Sequence, residues 1–186
     1  MELDQVLDAP IPTEGGDAVL VVIGGLPGSG KTTLLRRLLA ERAAGVAGLD
    51  SEQVAERLRR AGIGLPYRYL RPWVHLLHRV RVLGRIGGRT PVVVLTDPWT
   101  DPRWRRAVLG AAARAGRRVR LVWIDASPEV AAGGQSARGR AISGRAMRRH
   151  VQRALHQHPA GAAADALVVD RGRAARLTLV GVLGPR

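Results

Sequence analysis

The chain has no cysteine, no phenylalanine, no asparagine and a single lysine. Without cysteine it can form no disulfide and no thiolate metal site. Aromatic residues make up only 3% of its 186 residues, so valine, leucine, isoleucine and alanine must build the core. No apolar run approaches the ~20 residues that a membrane-spanning helix needs. The first ten residues, MELDQVLDAP, are acidic and lack the basic start and apolar centre of a secretory leader. These absences lead us to expect a cytoplasmic protein with no membrane partner. The length suits one domain.

The one lysine stands in the most informative stretch. Val19 to Ile23, VLVVI, is an apolar, β-branched run bounded by glycine, as expected of a buried parallel strand. Gly25-Leu26-Pro27-Gly28-Ser29-Gly30-Lys31-Thr32 follows and fits G-x-x-x-x-G-K-[ST] at every fixed position. Leu34, Leu35, Leu38 and Leu39 then recur at helical spacing. Strand, loop and helix are the context that a phosphate-binding loop requires. The glycines let backbone N–H groups converge on phosphate oxygens, and the helix start adds its positive dipole end. Lys31 is expected to reach the β- and γ-phosphates of ATP, and the Thr32 hydroxyl to ligate Mg²⁺. The expected nucleotide-binding residues are therefore Gly25, Leu26, Pro27, Gly28, Ser29, Gly30, Lys31, Thr32 and Thr33. A guanine-reading N/T-K-x-D motif cannot occur, because there is no asparagine and the only lysine follows Gly30.

The formal net charge is +15. Apart from Lys31 every basic residue is arginine, as in the codon usage of a GC-rich genome, so basicity alone argues weakly for nucleic acid. The charge is uneven. Residues 1–17 hold Glu2, Asp4, Asp8, Glu14 and Asp17 and no base. No acid interrupts the arginines from Arg57 to Arg89, or those from Arg138 to Arg153. Each basic block is either an anion-facing surface or a solvated helix face.

Residues 1–17 read as an arm broken by prolines and glycines, and 18–186 as the folded domain. The first helix is expected to run to about Ala44. Val46 to Asp50 reads as a second strand, with Ser51 capping a helix from Glu52 to Arg60. Pro66 to Gly88 reads as mostly helical, with Pro72 suited to a helix start and Leu76, Leu77, Val80, Leu83 and Ile86 as its apolar stripe. Val92 to Leu95, Val119 to Ile124 and Leu167 to Val169 read as further strands. Trp104 to Ala115 reads as a helix, and Ser143 as the cap of another from Gly144 to His156. Arg176 to Leu183 fits a helix or a strand equally. Strands alternating with helices at this spacing define an α/β sandwich, three layers deep, around a parallel sheet of about five strands. Asp50, Asp97, Asp125 and Asp170 follow strands at the carboxyl edge, where such sheets bind ligands.

Four stretches carry a family resemblance: GLPGSGKTTLLRRL at 25–38, LDSEQVAERLR at 49–59, VVVLTDPWTDPRWRRAVLGAAARAG at 92–116 and VRLVWIDASPEVAAGGQSARGRAIS at 119–143. In them the chain resembles small P-loop kinases of the AAA-domain type, similar to polynucleotide kinase, zeta toxin and chloramphenicol phosphotransferase. The resemblance implies a P-loop NTPase fold, an acceptor-binding region at about 50–90 and an arginine-bearing helical lid at about 128–158. It implies that Asp50 activates the acceptor hydroxyl, that Arg138 and Arg140 are lid arginines touching the transferred phosphate, and that Asp97 lies by Mg²⁺. The chain departs from the family at Gly133, Gly134 and Ser136, where arginines are frequent. Asp170 and Arg171 fall where related folds contact adenine.

Residue chemistry leaves alternatives beside these roles. Asp50 could instead cap the next helix, and Asp97 could form an Asx turn. Trp73, Trp99 and Trp104 could stack on an aromatic acceptor or pack internally. His75 and His78 share a helix face, but no third metal ligand lies near them in sequence. The expectation is an ATP-dependent phosphotransferase acting on a hydroxyl of a small molecule, a nucleoside or a nucleic-acid end. The alternative is a regulatory ATP-binding protein without such an acceptor.

Overall fold

The computed structural model describes residues 18–61, 67–136, 144–156 and 166–184. Five parallel strands form one sheet in the order β2-β3-β1-β4-β5. They are β1 (Val19–Gly25), β2 (Val46–Leu49), β3 (Val92–Thr96), β4 (Arg118–Ile124) and β5 (Ala166–Val169). The helices between them are α1 (Lys31–Ala40), α2 (Ser51–Arg60), α3 (Tyr67–Ile86), α4 (Pro102–Arg114), α5 (Pro128–Ser136) and α6 (Gly144–His156). Two short helices, α7 (Arg171–Ala174) and α8 (Leu179–Leu183), follow β5. The ambiguous 176–183 segment thus ends in a helix.

The period of two along β1 divides the core. Val19, Val21 and Ile23 face a cluster with Leu34, Leu35 and Leu38 of α1 and Leu179 and Val182 of α8. Leu20 and Val22 face the other side, with Val82 and Ile86 of α3 and Trp104, Val108 and Ala112 of α4. A strand covered on both faces needs apolar residues at every position, which is why VLVVI does not alternate. Register pairs Ile23 with Thr96, and Leu49 with Leu95. The ends of β1, β2 and β3 are thereby brought together, with Asp50 and Thr96 each one residue past the last β2–β3 pair.

Several boundaries differ from expectation. Helix α1 stops at Ala40, because Arg42 turns into positive φ and Gly45 follows. Asp50, not Ser51, is the N-cap of α2, and its side chain accepts from Glu52 N. Pro72 lies inside α3 rather than at its start. The stripe Leu76, Leu77, Val80 and Leu83 faces outward, and of those expected only Ile86 is buried. The inward face of α3 is Leu70, Val74, His78, Val82 and Ile86. The start of α4 is fixed by Asp101, whose side chain accepts from Arg103 N and Trp104 N. Buried Arg117 locks the α3–β3 turn, donating to the carbonyls of Ile86, Gly88 and Pro91.

Candidate active site

The phosphate loop leaves β1 at Gly25 and enters α1 at Lys31. Gly25, Gly28 and Gly30 all take positive φ, at 134°, 90° and 108°. At Gly25 a Cβ would lie 2.6 Å from the Ile124 carbonyl oxygen, so conformation and space both demand glycine. Gly30 is the N-cap of α1; no side chain caps the helix and no acid lies in its first turn. That helix end is built to receive an anion. Lys31 Nζ donates to the carbonyls of Gly25 and Leu26, each at 2.8 Å. The lysine is thus folded back over its own loop, in reach of whatever the loop holds.

Asp50 is the centre of the site. It is buried beside the phosphate loop, and three donors converge on it. The Thr32 hydroxyl donates to Oδ2 at 2.8 Å, the Thr96 hydroxyl to Oδ2 at 2.9 Å, and Glu52 N to Oδ1 at 2.7 Å. Asp50 thus caps α2, the alternative read from sequence, and it also meets the loop threonine. A cavity of about 360 Å³ opens against it, lined by Thr32 and Arg36 of α1 and by Glu52, Gln53, Glu56 and Arg59 of α2. Glu52 is held there by an ion pair to Arg36 at 2.9 Å.

Asp97 follows β3, and its N–H donates to the Ile23 carbonyl at 3.1 Å. Its Oδ1 accepts from Trp99 N at 2.6 Å and its Oδ2 from Trp104 Nε1 at 3.0 Å. Burial pushes its carboxyl above the usual range, while the Trp99 and Trp104 bonds and the charges of Lys31 and Arg79 pull the other way. The carboxylate in contact with Thr32 is thus Asp50, with Asp97 held back on the tryptophans. The Asx geometry at Asp97 goes with a positive φ of 59° at Trp99. Trp99 and Trp104 are buried in the core, whereas Trp73 is exposed.

Three further residues lie near these groups: Thr100 and His150, which sequence did not single out, and His78, which it did only as half of a histidine pair. His150 of α6 shares a 2.9 Å hydrogen bond with the Thr100 hydroxyl, between Nδ1 and Oγ1. This bond ties α6 to the β3–α4 turn. Burial lowers the His150 pKa, and the charges of Lys31, Arg153, Arg149 and Arg71 lower it further. His78 is buried near Asp50 and its Nδ1 has no partner among the described residues. Burial, opposed by Asp50 and aided by Arg81, His75 and Arg79, takes its pKa down to about 4. Only Thr96 had a visible signal, a hydroxyl beside an acid at a strand end. Thr100 and His150 come from distant segments and had none, and His78 was noted only for its spacing from His75.

Helix α5 rests on the phosphate loop. A Cβ at Gly134 would lie 2.4 Å from the Gly28 carbonyl oxygen, so only glycine permits this seat. The departure from arginine at this position therefore has a packing reason. Arg138 and Arg140, and the Ser143 cap, lie outside the described residues. Asp170 ends β5 and caps α7, accepting from Arg173 N at 2.6 Å, and Arg171 is exposed in the first turn. Neither lines the second cavity, of about 160 Å³, which lies between Leu26, the turn after β4, and Val151 and Ala154 of α6.

Among the described residues no three His, Asp or Glu side chains cluster as a metal site. The oxygens of Thr32 and Asp50 form a hard donor pair, suited to a small divalent cation that keeps most of its waters. No helix among the described residues is long and apolar enough to cross a membrane.

A five-stranded parallel sheet whose first strand runs through a glycine loop into an uncapped helix, with Lys31 and Thr32 at its start, defines a P-loop nucleotide-binding protein. The model of the AAA domain family matches residues 20–160, and the chain belongs to that family. A comparison with curated proteins gives no match. Among solved structures, the fold is similar to a gluconokinase from Sinorhizobium meliloti 1021, at 16% identity and a TM-score of 0.56 over 86% of this chain and 88% of that one. It is similar to a structure from the PezAT toxin–antitoxin system of Streptococcus pneumoniae, at 15% identity and a TM-score of 0.60 over 84% and 69%. A third likeness is the tunicamycin resistance protein of Deinococcus radiodurans, at 16% identity and a TM-score of 0.53 over 86% and 92%. The fold is that of the small P-loop kinases.

Proposed function

We propose that the protein is an ATP-dependent phosphotransferase that moves the γ-phosphate to a hydroxyl of a small molecule. The observation that carries this reading is the position of Asp50. Its carboxylate lies between the Thr32 hydroxyl of the phosphate loop, 2.8 Å away, and a cavity of about 360 Å³. That volume suits a metabolite-sized acceptor. It favours a small molecule over a nucleic-acid end, which would need an open basic track.

In this reading the loop from Gly25 to Thr33 holds the phosphates of ATP, and Lys31 swings from the Gly25 and Leu26 carbonyls onto the β- and γ-phosphates. Thr32 would hold Mg²⁺, and we assign Asp97 to the side of the ion's waters; when bound, the ion neutralises phosphate charge. The acceptor oxygen attacks the γ-phosphorus and Asp50 takes its proton. The bond from that phosphorus to the β,γ-bridging oxygen breaks, and ADP leaves with the electron pair. Arg138 and Arg140 are assigned to the charge on the transferred group, and Asp170 and Arg171 to the adenine side. Glu52, Gln53 and Glu56 line the acceptor cavity and supply hydrogen-bond acceptors for further hydroxyls.

The Asp50→Asn variant tests the assignment. Transfer should fall by about 10²- to 10⁴-fold, the range for loss of a general base, with ATP affinity changed no more than a few-fold. Transfer at the wild-type rate would remove Asp50 from the chemistry.

A further inference from the structure

The outward face of α3 has the wrong chemistry for solvent. Tyr69, Trp73, Leu76, Val80 and Leu83 recur at intervals of four, three, four and three residues, and all are exposed. Trp73 is 61% exposed, Leu76 52% and Val80 62%. Leu77 is exposed beside them. At 100° per residue these six side chains share a face roughly 120° wide, with no charged residue on it. The alternation of four and three is the seam of a two-helix coiled coil. The opposite face packs inward: Leu70 and Val74 join Val54 and Ala55 of α2, and Val82 and Ile86 enter the main core.

The two arginines that flank this seam, Arg79 and Arg81, are engaged within the chain, and Arg71 and Arg85 lie at helical positions well away from it. Arg79 donates to Asp101 Oδ2 at 2.9 Å and lies over the Trp104 ring. Arg81 donates to Gln53 Oε1 at 2.6 Å. An acidic helix or an anionic lipid surface would therefore find no available cation along the seam. A face with neither sign of charge is complementary to itself.

We propose that α3 is the interface of a homodimer, two copies pairing their α3 seams about a two-fold axis. The six side chains expose on the order of 600 Å² per chain, so pairing would bury on the order of 1,200 Å² in all, the lower bound for a stable interface. A seam used by both copies is the isologous contact that closed two-fold dimers require. The proposal does not depend on which reaction the site performs.

The chain has no cysteine, so one introduced in the seam reports contact without background. Sedimentation and light scattering of the wild type should give twice the chain mass at micromolar concentration. Val80→Cys should form a disulfide-linked dimer on mild oxidation, while Leu109→Cys, exposed on α4, should not. Leu76→Glu with Val80→Glu should give a monomer of unchanged helix content, whose unfolding midpoint no longer rises with protein concentration as the wild type's does. A monomeric wild type would overturn the proposal, whether residues 1–17, a lipid vesicle or nothing then covers the seam. A dimer that survives the double glutamate substitution would overturn it equally.

Discussion

At the scale of single residues, burial decides what the site can do. His78 sits in the protein interior with Nδ1 unpartnered, and its pKa falls from 6.5 to about 4. The folded chain thus holds a neutral imidazole that the unfolded chain would protonate first. The unfolded state binds more protons between those values, so stability is full above pH 6.5 and is lost as pH falls towards 4. The loss is about 3 kcal/mol at this one residue. Thermal unfolding of His78→Leu should show a shallower decline over that window than the wild type, and parallel declines would remove His78 as the cause. Residue chemistry was also where sequence served best and worst. Lys31 was legible because one motif position requires lysine and the chain has no other. Asp50 was legible as an acid at a strand end, but its contact with Thr32 was not, since the two stand 18 positions apart and meet through the packing of α1 and the pairing of β2 with β3. Thr100 and His150 meet across 50 positions, and no local pattern signals such a pair.

At the scale of elements, amphipathic periodicity located α3 but not its inner face. A stripe of leucine and valine ordinarily marks the buried side. Here the inner side carries Leu70, Val74, His78, Val82 and Ile86, a second apolar row that the stronger outer row masked. Strands were read well because a two-sided parallel sheet writes itself as a continuous apolar run. Caps were read less well: Asp50 and Asp101 begin helices where a serine and a tryptophan were expected to. The α5 helix supplies a prediction at this scale. Its seat on the Gly28 carbonyl leaves no room for a Cβ at Gly134. Gly134→Ala should lift α5 from the phosphate loop, lowering transfer by about tenfold or more, since small misplacements cost that much. Gly133→Ala, where a Cβ meets nothing within 4 Å, is the control and should stay near the wild-type rate. Equal losses in both would assign the effect to α5 flexibility rather than to the contact.

At the scale of the whole molecule, sheet order explains why one site gathers residues from so many segments. The order β2-β3-β1-β4-β5 sets the ends of β2, β3 and β1 side by side, so Asp50, Thr96 and the phosphate loop converge. The net charge of +15 is partly spent inside the fold, on Arg117 at three carbonyls and on Arg79 and Arg81 at their α4 and α2 partners.

The measurement that bears most directly on this account follows phosphate from γ-labelled ATP, with Mg²⁺, into pooled acceptors: nucleosides, sugar and antibiotic alcohols, and 5′-hydroxyl oligonucleotides. The account predicts a labelled product in a small-molecule pool, lost in Lys31→Ala. Label released only as inorganic phosphate, at the same rate with and without every pool, would contradict it.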